Sequence, residues 1–232
     1  MSTESSPQVF TDVSLDPFVR GLLHRPTNPN GSGLVLTHGA GSNCQAPLLI
    51  ALAEAFADAG FIVLRCDLPY RQDRPYGPPG PGDAKRDRAG LKNALAALKN
   101  LATGRVFLGG HSYGGRQASM LCAELTETAA ENSLEKVAGL LLLSYPLHPP
   151  RKPDQPRTQH LFHLRTPALF VHGTRDPFGS IAEIEQALKL IPAKTKLLPV
   201  EGAGHDLGFK GRSKRQELPD AVFQEFKNFF QL

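Results

Sequence analysis

Residues 106–120 read Val-Phe-Leu-Gly-Gly-His-Ser-Tyr-Gly-Gly-Arg-Gln-Ala-Ser-Met. The apolar run Val106 to Leu108 leads into Gly109 and Gly110, and Ser112 stands alone between Gly110 and Gly114. From Arg116 onward, Ala118, Leu121, Cys122 and Leu125 recur on one side at helical spacing. The pattern predicts a strand, a sharp turn and a helix continuing to about Ala130, with Gly-His-Ser-Tyr-Gly as the turn. A serine at the apex of such a turn takes a strained backbone conformation. Its neighbours two before and two after must be small for strand and helix to approach each other. The turn exposes the hydroxyl, and the helix start aims free N–H groups at the charge that its attack creates. Spelling and context are those of a nucleophile elbow; the bland alternative is a tight glycine turn with an incidental serine.

The 232 residues, 41% of them hydrophobic, can bury one sizeable core, and no shift in composition divides them. We expect a single domain over 1–232, with residues 1–8 as a disordered tail. No apolar stretch approaches the roughly 18 residues of a membrane span, and Met1 to Pro7 is polar and acidic rather than signal-like. A cytoplasmic address, without membrane association, is the default expectation. Three cysteines, Cys44, Cys66 and Cys122, form neither a disulfide framework nor a zinc spacing, so no metal is expected. The net charge is only +4, aromatics are 7% and tryptophan is absent, which argues against nucleic acid. The one basic concentration is Lys210-Gly-Arg-Ser-Lys-Arg215.

Upstream of the elbow, short strands are expected over 10–15 and 18–24, then over 34–37 and from Phe61 to Asp67. Helical periods cover 46–60 and 84–102. Between them, 68–83 holds five prolines and three glycines and reads as an exposed loop. Downstream, 137–144 is a continuous apolar run of strand length, and 145–165 is a second irregular excursion. A strand at 168–171, a helix at 180–191 capped by Ser180, a strand at 196–200 and a helix at 219–230 complete the chain. Such alternation gives a mostly parallel sheet with helices on both faces. Chemistry in such sheets collects beyond the carboxyl ends of the strands, where His38, Asp67, Ser112, Tyr145, Asp176 and His205 all fall.

A serine needs a base, and the base needs an orienting group. Of eight histidines, His205 follows the last core strand on a Gly202-Ala-Gly204 loop and is the candidate base. Asp176, beyond the 168–171 strand, is the candidate acid, with Glu201 and Asp67 as weaker alternatives; Asp206 is too near His205 in sequence. The order Ser112, Asp176, His205 is the serine, acid, histidine order of nucleophile-elbow enzymes. His38 should brace the loop after it, His111 should point away from the nucleophile, and His172 should support the turn at Asp176. The backbone N–H groups of Tyr113 and Ala40 are the candidate oxyanion donors, Ala40 lying in His38-Gly-Ala-Gly41. That loop lacks the ending of a nucleotide P-loop.

On His38-Gly-Ala-Gly41, Ser112-Tyr-Gly-Gly-Arg116, Ser144-Tyr-Pro-Leu-His148, Leu161-Phe-His-Leu-Arg-Thr-Pro167 and Lys210-Gly-Arg212, the chain resembles the α/β-hydrolase superfamily over most of its length. It is most similar to a dienelactone-hydrolase-like branch that includes the testis-expressed hydrolase-like proteins. The resemblance implies the α/β-hydrolase fold and a serine triad. Dienelactone hydrolases proper carry cysteine at the elbow, so Ser112 departs from their lactone chemistry. Both excursions should roof the site without amounting to a full lid domain. Arg116 and His148 are candidate pocket residues, Arg116 alternatively pairing with Asp67. Lys210 and Arg212 either attract an anionic substrate or lie on a solvated loop. The expectation is a cofactor-free hydrolase of a small-molecule carboxylic ester or thioester acting through an acyl-enzyme. The alternatives are a silent hydrolase-shaped binding or scaffold module, and an acyltransferase or perhydrolase using the same triad. Oligomeric state is not legible.

Overall fold

The computed structural model describes residues 7–128, 136–209 and 216–232. Its apolar runs are strands buried almost throughout: β3 (Gly33–Thr37), β4 (Ile62–Cys66), β5 (Val106–His111), β6 (Leu140–Leu143) and β7 (Ala168–Gly173). Covering on both faces removes the polar alternation that an exposed strand would show. These strands lie parallel in the order β4-β3-β5-β6-β7, and β8 (Thr195–Val200) adds in parallel beside β7. β2 (Val19–His24) is antiparallel to β4, and β1 (Gln8–Asp12) closes that edge against β2. Gln8, expected in a disordered tail, is therefore already paired, opposite Leu23.

Alternate residues of each strand supply two cores. Leu34, Leu36, Phe107, Leu141 and Leu143 face α1 (Pro47–Asp58) and α6 (Leu218–Phe230). There Phe107 lies 4.9 Å from Phe226 and 5.0 Å from Phe230, and Phe56 lies 4.9 Å from Phe226, mostly edge to face. Val35, Leu64, Leu108, Leu140 and Leu142 face the opposite layer of α3 (Asp83–Lys99), α4 (Tyr113–Thr128) and α5 (Ile181–Leu188). Ser180 caps α5 as expected: its Oγ accepts from Glu183 N at 3.3 Å, while the Glu183 carboxylate accepts from Ser180 N at 2.8 Å. The architecture is the α/β-hydrolase fold, and no lid domain interrupts it among the described residues.

The 68–83 stretch is not wholly an exposed loop. Pro69–Asp73 forms a short helix, α2, in which Tyr70 and Arg71 are buried. Proline is tolerated in a first helical turn, so the proline at 69 opens α2 rather than preventing it. The second excursion contains a 3-10 turn at Gln159–His163 and buries Tyr145, Leu147 and His148. Among the described residues no helix is long and apolar enough to cross a membrane, and no group of His, Cys, Asp or Glu is arranged to hold a metal ion.

Candidate active site

The strand registers bring the relevant turns level. Thr37 pairs with Gly110, His111 with Leu143 and Leu143 with Val171, so the chain leaves β3, β5, β6 and β7 along one rim. At the centre of that rim Ser112 has φ 51°, the left-handed region a non-glycine residue avoids. Its N–H is held by Leu143 O at 2.8 Å, and its carbonyl accepts from Arg116 N at 2.9 Å to start α4. A Cβ on Gly114 would stand 2.5 Å from His38 O, and one on Gly110 2.7 Å from the Gly114 carbonyl carbon. The elbow is thus closed by backbone on both sides, which is why both positions are glycine.

Ser112 Oγ lies 2.8 Å from His205 Nε2, and His205 Nδ1 lies 2.8 and 3.0 Å from the two carboxylate oxygens of Asp176. A carboxylate only accepts, so Nδ1 carries the proton and Nε2 is left to accept from the serine. The Asp176 side chain is fully buried while that of His205 is 23% exposed, so the carboxylate is dry and the imidazole reachable from solvent. Asp176 is fixed by Phe178 N at 2.9 Å, and the Phe178 ring covers His205 with centroids 4.2 Å apart. Glu201 instead accepts from Thr174. Asp67 accepts from Cys44 N at 2.8 Å and lies 3.6 Å from Arg20, so neither alternative acid orients His205.

The loop opposite is tied from below. His38 donates from Nδ1 to Gly39 O at 2.9 Å and accepts from Leu68 N at Nε2, 3.1 Å. Burial, its largest influence, pushes its pKa down to about 4. The Tyr70 hydroxyl donates to Ala40 O at 2.9 Å with Gly39 O 3.3 Å away, and Arg71 donates to Ala40 O and Ser42 O at 3.1 and 2.7 Å. Because a trans peptide sets N–H opposite C=O, pinning the Gly39 carbonyl turns the Ala40 N–H the other way. Tyr113 is anchored through its hydroxyl, which donates to Asp87 at 2.7 Å. Burial and this bond push the Tyr113 phenol pKa up.

Sequence reasoning missed two residues here. His111 turns its ring off Ser112, yet it donates from Nε2 to His205 O at 2.7 Å and approaches Gly39 with Nδ1. Burial pushes its pKa down to about 4, so it stays a neutral brace between the two loops. Tyr70 was hidden in a proline-rich stretch; its one signal is an aromatic residue directly after Leu68-Pro69 in an otherwise polar segment. His172 donates to Gly179 O at 2.8 Å and lies 3.7 Å from Asp176, under the turn that carries the acid. His148 is buried against Pro149 O at 2.8 Å and lies 3.5 Å from Glu183, at the start of α5. Arg116 does not pair with Asp67, which is held by Arg20 on β2 and by His38 and Cys44 in the loop after β3. Lys210 and Arg212 lie outside the described residues.

Comparison with known proteins gives the same fold. A dienelactone hydrolase from Anabaena variabilis is 24% identical, covers 98% of both chains and superposes with a TM-score of 0.69. Est1E from Butyrivibrio proteoclasticus is 16% identical over 98% of this chain and 100% of its own, with a TM-score of 0.68. A Xanthomonas campestris protein described as an α/β serine hydrolase without lid is 16% identical over 98% and 96%, with a TM-score of 0.69. The family model described as an alpha/beta hydrolase domain matches residues 30–231. With nearly the whole chain inside that match, the protein belongs to the alpha/beta hydrolase family.

Proposed function

We propose that the protein is a serine hydrolase that cleaves a small-molecule carboxylic ester or thioester through an acyl-enzyme. One observation carries the reading: Ser112 Oγ stands 2.8 Å from His205 Nε2 while His205 Nδ1 stands 2.8 Å from buried Asp176. As Oγ attacks the carbonyl carbon, His205 takes its proton, and Asp176 keeps the ring in the required tautomer and balances the imidazolium. The oxyanion is met by the N–H groups of Tyr113 and Ala40, each worth about 3 kcal/mol of transition-state stabilisation. Collapse breaks the bond to the leaving oxygen or sulfur, which departs with the proton from His205. Water then attacks the acyl-serine with His205 again as base, releasing the acid and restoring Ser112. The similarity to a serine hydrolase described as lacking a lid supports a site entered directly from solvent.

Fluorophosphonate labelling tests the nucleophile. The expected result is stoichiometric modification at Ser112 that disappears in Ser112→Ala, together with hydrolysis of short p-nitrophenyl esters. A folded protein that neither labels nor turns over any member of an ester, thioester and lactone panel is a binding module, and the proposal fails. Ester products found in place of acids when alcohols are added would move the reading to acyl transfer.

A further inference from the structure

One helical turn beyond Ser112, the surface of α4 carries positive charge that no described acid neutralises. Arg116 N donates to Ser112 O, so its Cα stands about 6 Å along the helix from the serine. Its guanidinium Nε is buried and has no acceptor among the described residues. Polar groups from the second excursion gather there. Tyr145 Oη donates to Arg157 O at 2.8 Å, Ser119 Oγ and His160 Nε2 are 2.8 Å apart, and the Tyr145 and His160 rings are 6.4 Å apart. Among the described residues the Arg157 guanidinium donates to a backbone carbonyl, Pro146 O at 3.3 Å, and to no acid. Glu124, on the same helix as Arg116, is held by Arg88 at 2.8 Å.

The electrostatics agree with this geometry. Burial first, then the charge of Arg116, holds the Arg157 guanidinium below its ordinary range. Burial, with Arg116 and Arg88, holds His160 down to about 4, so the imidazole is neutral near pH 7. Two guanidinium groups thus repel each other across these polar groups, with no counter-charge among the described residues. A buried N–H lacking an acceptor and uncompensated like charges both oppose folding. Such a group needs an explanation, and a ligand that completes it is a physical one.

We propose that Arg116 and Arg157 form a subsite for an oxyanion of the substrate, a carboxylate or phosphate carried on its acyl chain or leaving group. Tyr145, Ser119 and His160 form the wall. A guanidinium fork meets two oxygens of such a group at once. The inference rests on Ser112 being the nucleophile, and it narrows the substrate to an ester or thioester with an anionic group held about one helical turn from the scissile carbonyl.

Calorimetric titration of Ser112→Ala with glutarate, and separately with inorganic phosphate, tests the subsite without chemistry. Saturable binding of either is expected, weakened about tenfold to a hundredfold in Arg116→Gln or Arg157→Gln; the anion that binds identifies the group. In the ligand-free protein both substitutions should leave Tm unchanged or raise it, because each relieves repulsion. Were the arginines merely structural, Tm would fall. With Ser112 present, the ratio of kcat/KM for p-nitrophenyl hydrogen glutarate over p-nitrophenyl butyrate should fall about tenfold in Arg157→Gln. Failure of both anions to bind, or equal binding in the arginine variants, overturns the subsite. Anion binding retained in a protein that fluorophosphonate never labels would overturn the nucleophile instead and leave the subsite standing.

Discussion

At Ser112 two demands meet. The hydroxyl must stand clear of the sheet, and the backbone that lifts it must sit at φ 51°, a conformation that costs about 1–2 kcal/mol. Gly110 and Gly114 make this conformation reachable, and they fail sharply when changed. In Gly114→Ala the new methyl would meet His38 O at 2.5 Å, a backbone atom at the root of the loop. We expect a loss of about 2–3 kcal/mol in urea unfolding, and a fall in kcat in whatever fraction folds, because the atom displaced belongs to the loop carrying Ala40. A different failure is expected at Asp176. Asp176→Asn keeps the shape but presents an N–H to His205 Nδ1, which turns the ring to the wrong tautomer. Under the proposed chemistry kcat should fall by about 10⁴ with KM little changed, measured in steady state on a p-nitrophenyl ester. A variant retaining a tenth of its activity would show that Asp176 does not orient the base.

At the scale of elements, the site is two loops clamped from outside their own strands. The loop after β3 is fixed by α2, through Tyr70 and Arg71, and the loop after β8 is fixed by β5, through His111. A Cβ on Gly173 would run into Ala203 O, so the end of β7 also lies directly against the His205 loop. Removing one clamp should loosen one loop. Tyr70→Phe deletes the hydroxyl that pins the Gly39 and Ala40 carbonyls, and we expect kcat to fall about tenfold for a stability loss of about 1 kcal/mol. Comparing kcat with Tm checks this: a kcat loss no larger than the Tm shift explains would mean the clamp is only structural. The strands and the elbow were legible because their signals are local: uninterrupted apolar runs, and glycines two residues either side of one serine. The clamps were not. Nothing in Pro69-Tyr-Arg-Gln-Asp73 says that a helix there buries its second and third residues, because that burial is decided by the loop above it. His111 was expected to turn away from Ser112, and it does. Spacing carries no word of what it turns toward, a carbonyl 94 positions later.

Across the whole molecule, neutral imidazoles are built into the structure away from the reacting atoms. His24 accepts at Nε2 from the buried Arg65, 2.9 Å away; protonating it would set two cations face to face. His38 accepts from Leu68 N, and His111 is enclosed between Gly39 and the His205 loop. Burial is the largest influence on each, and each pKa is pushed from 6.5 to about 4. A folded-state pKa below the unfolded value means that the unfolded chain binds the proton first. The stability these groups confer is therefore complete above pH 6.5 and shrinks as pH falls from 6.5 toward 4. At pH 5 each neutral histidine has given up about 2 kcal/mol, so the three together approach the 5–15 kcal/mol that holds an ordinary domain folded, roughly. We expect urea midpoints to be flat from pH 8 to about 7 and to fall steeply by pH 5, with unfolding in that window accompanied by uptake of about four protons, by these three histidines and by His160, which burial also holds at about 4. Substituting His24 by Gln, which still offers Arg65 an acceptor, should remove about one of those protons and flatten the slope accordingly. A midpoint that holds steady down to pH 5 would mean that these histidines are hydrated or already charged in the folded protein, and that the loops they brace are looser than their hydrogen bonds imply.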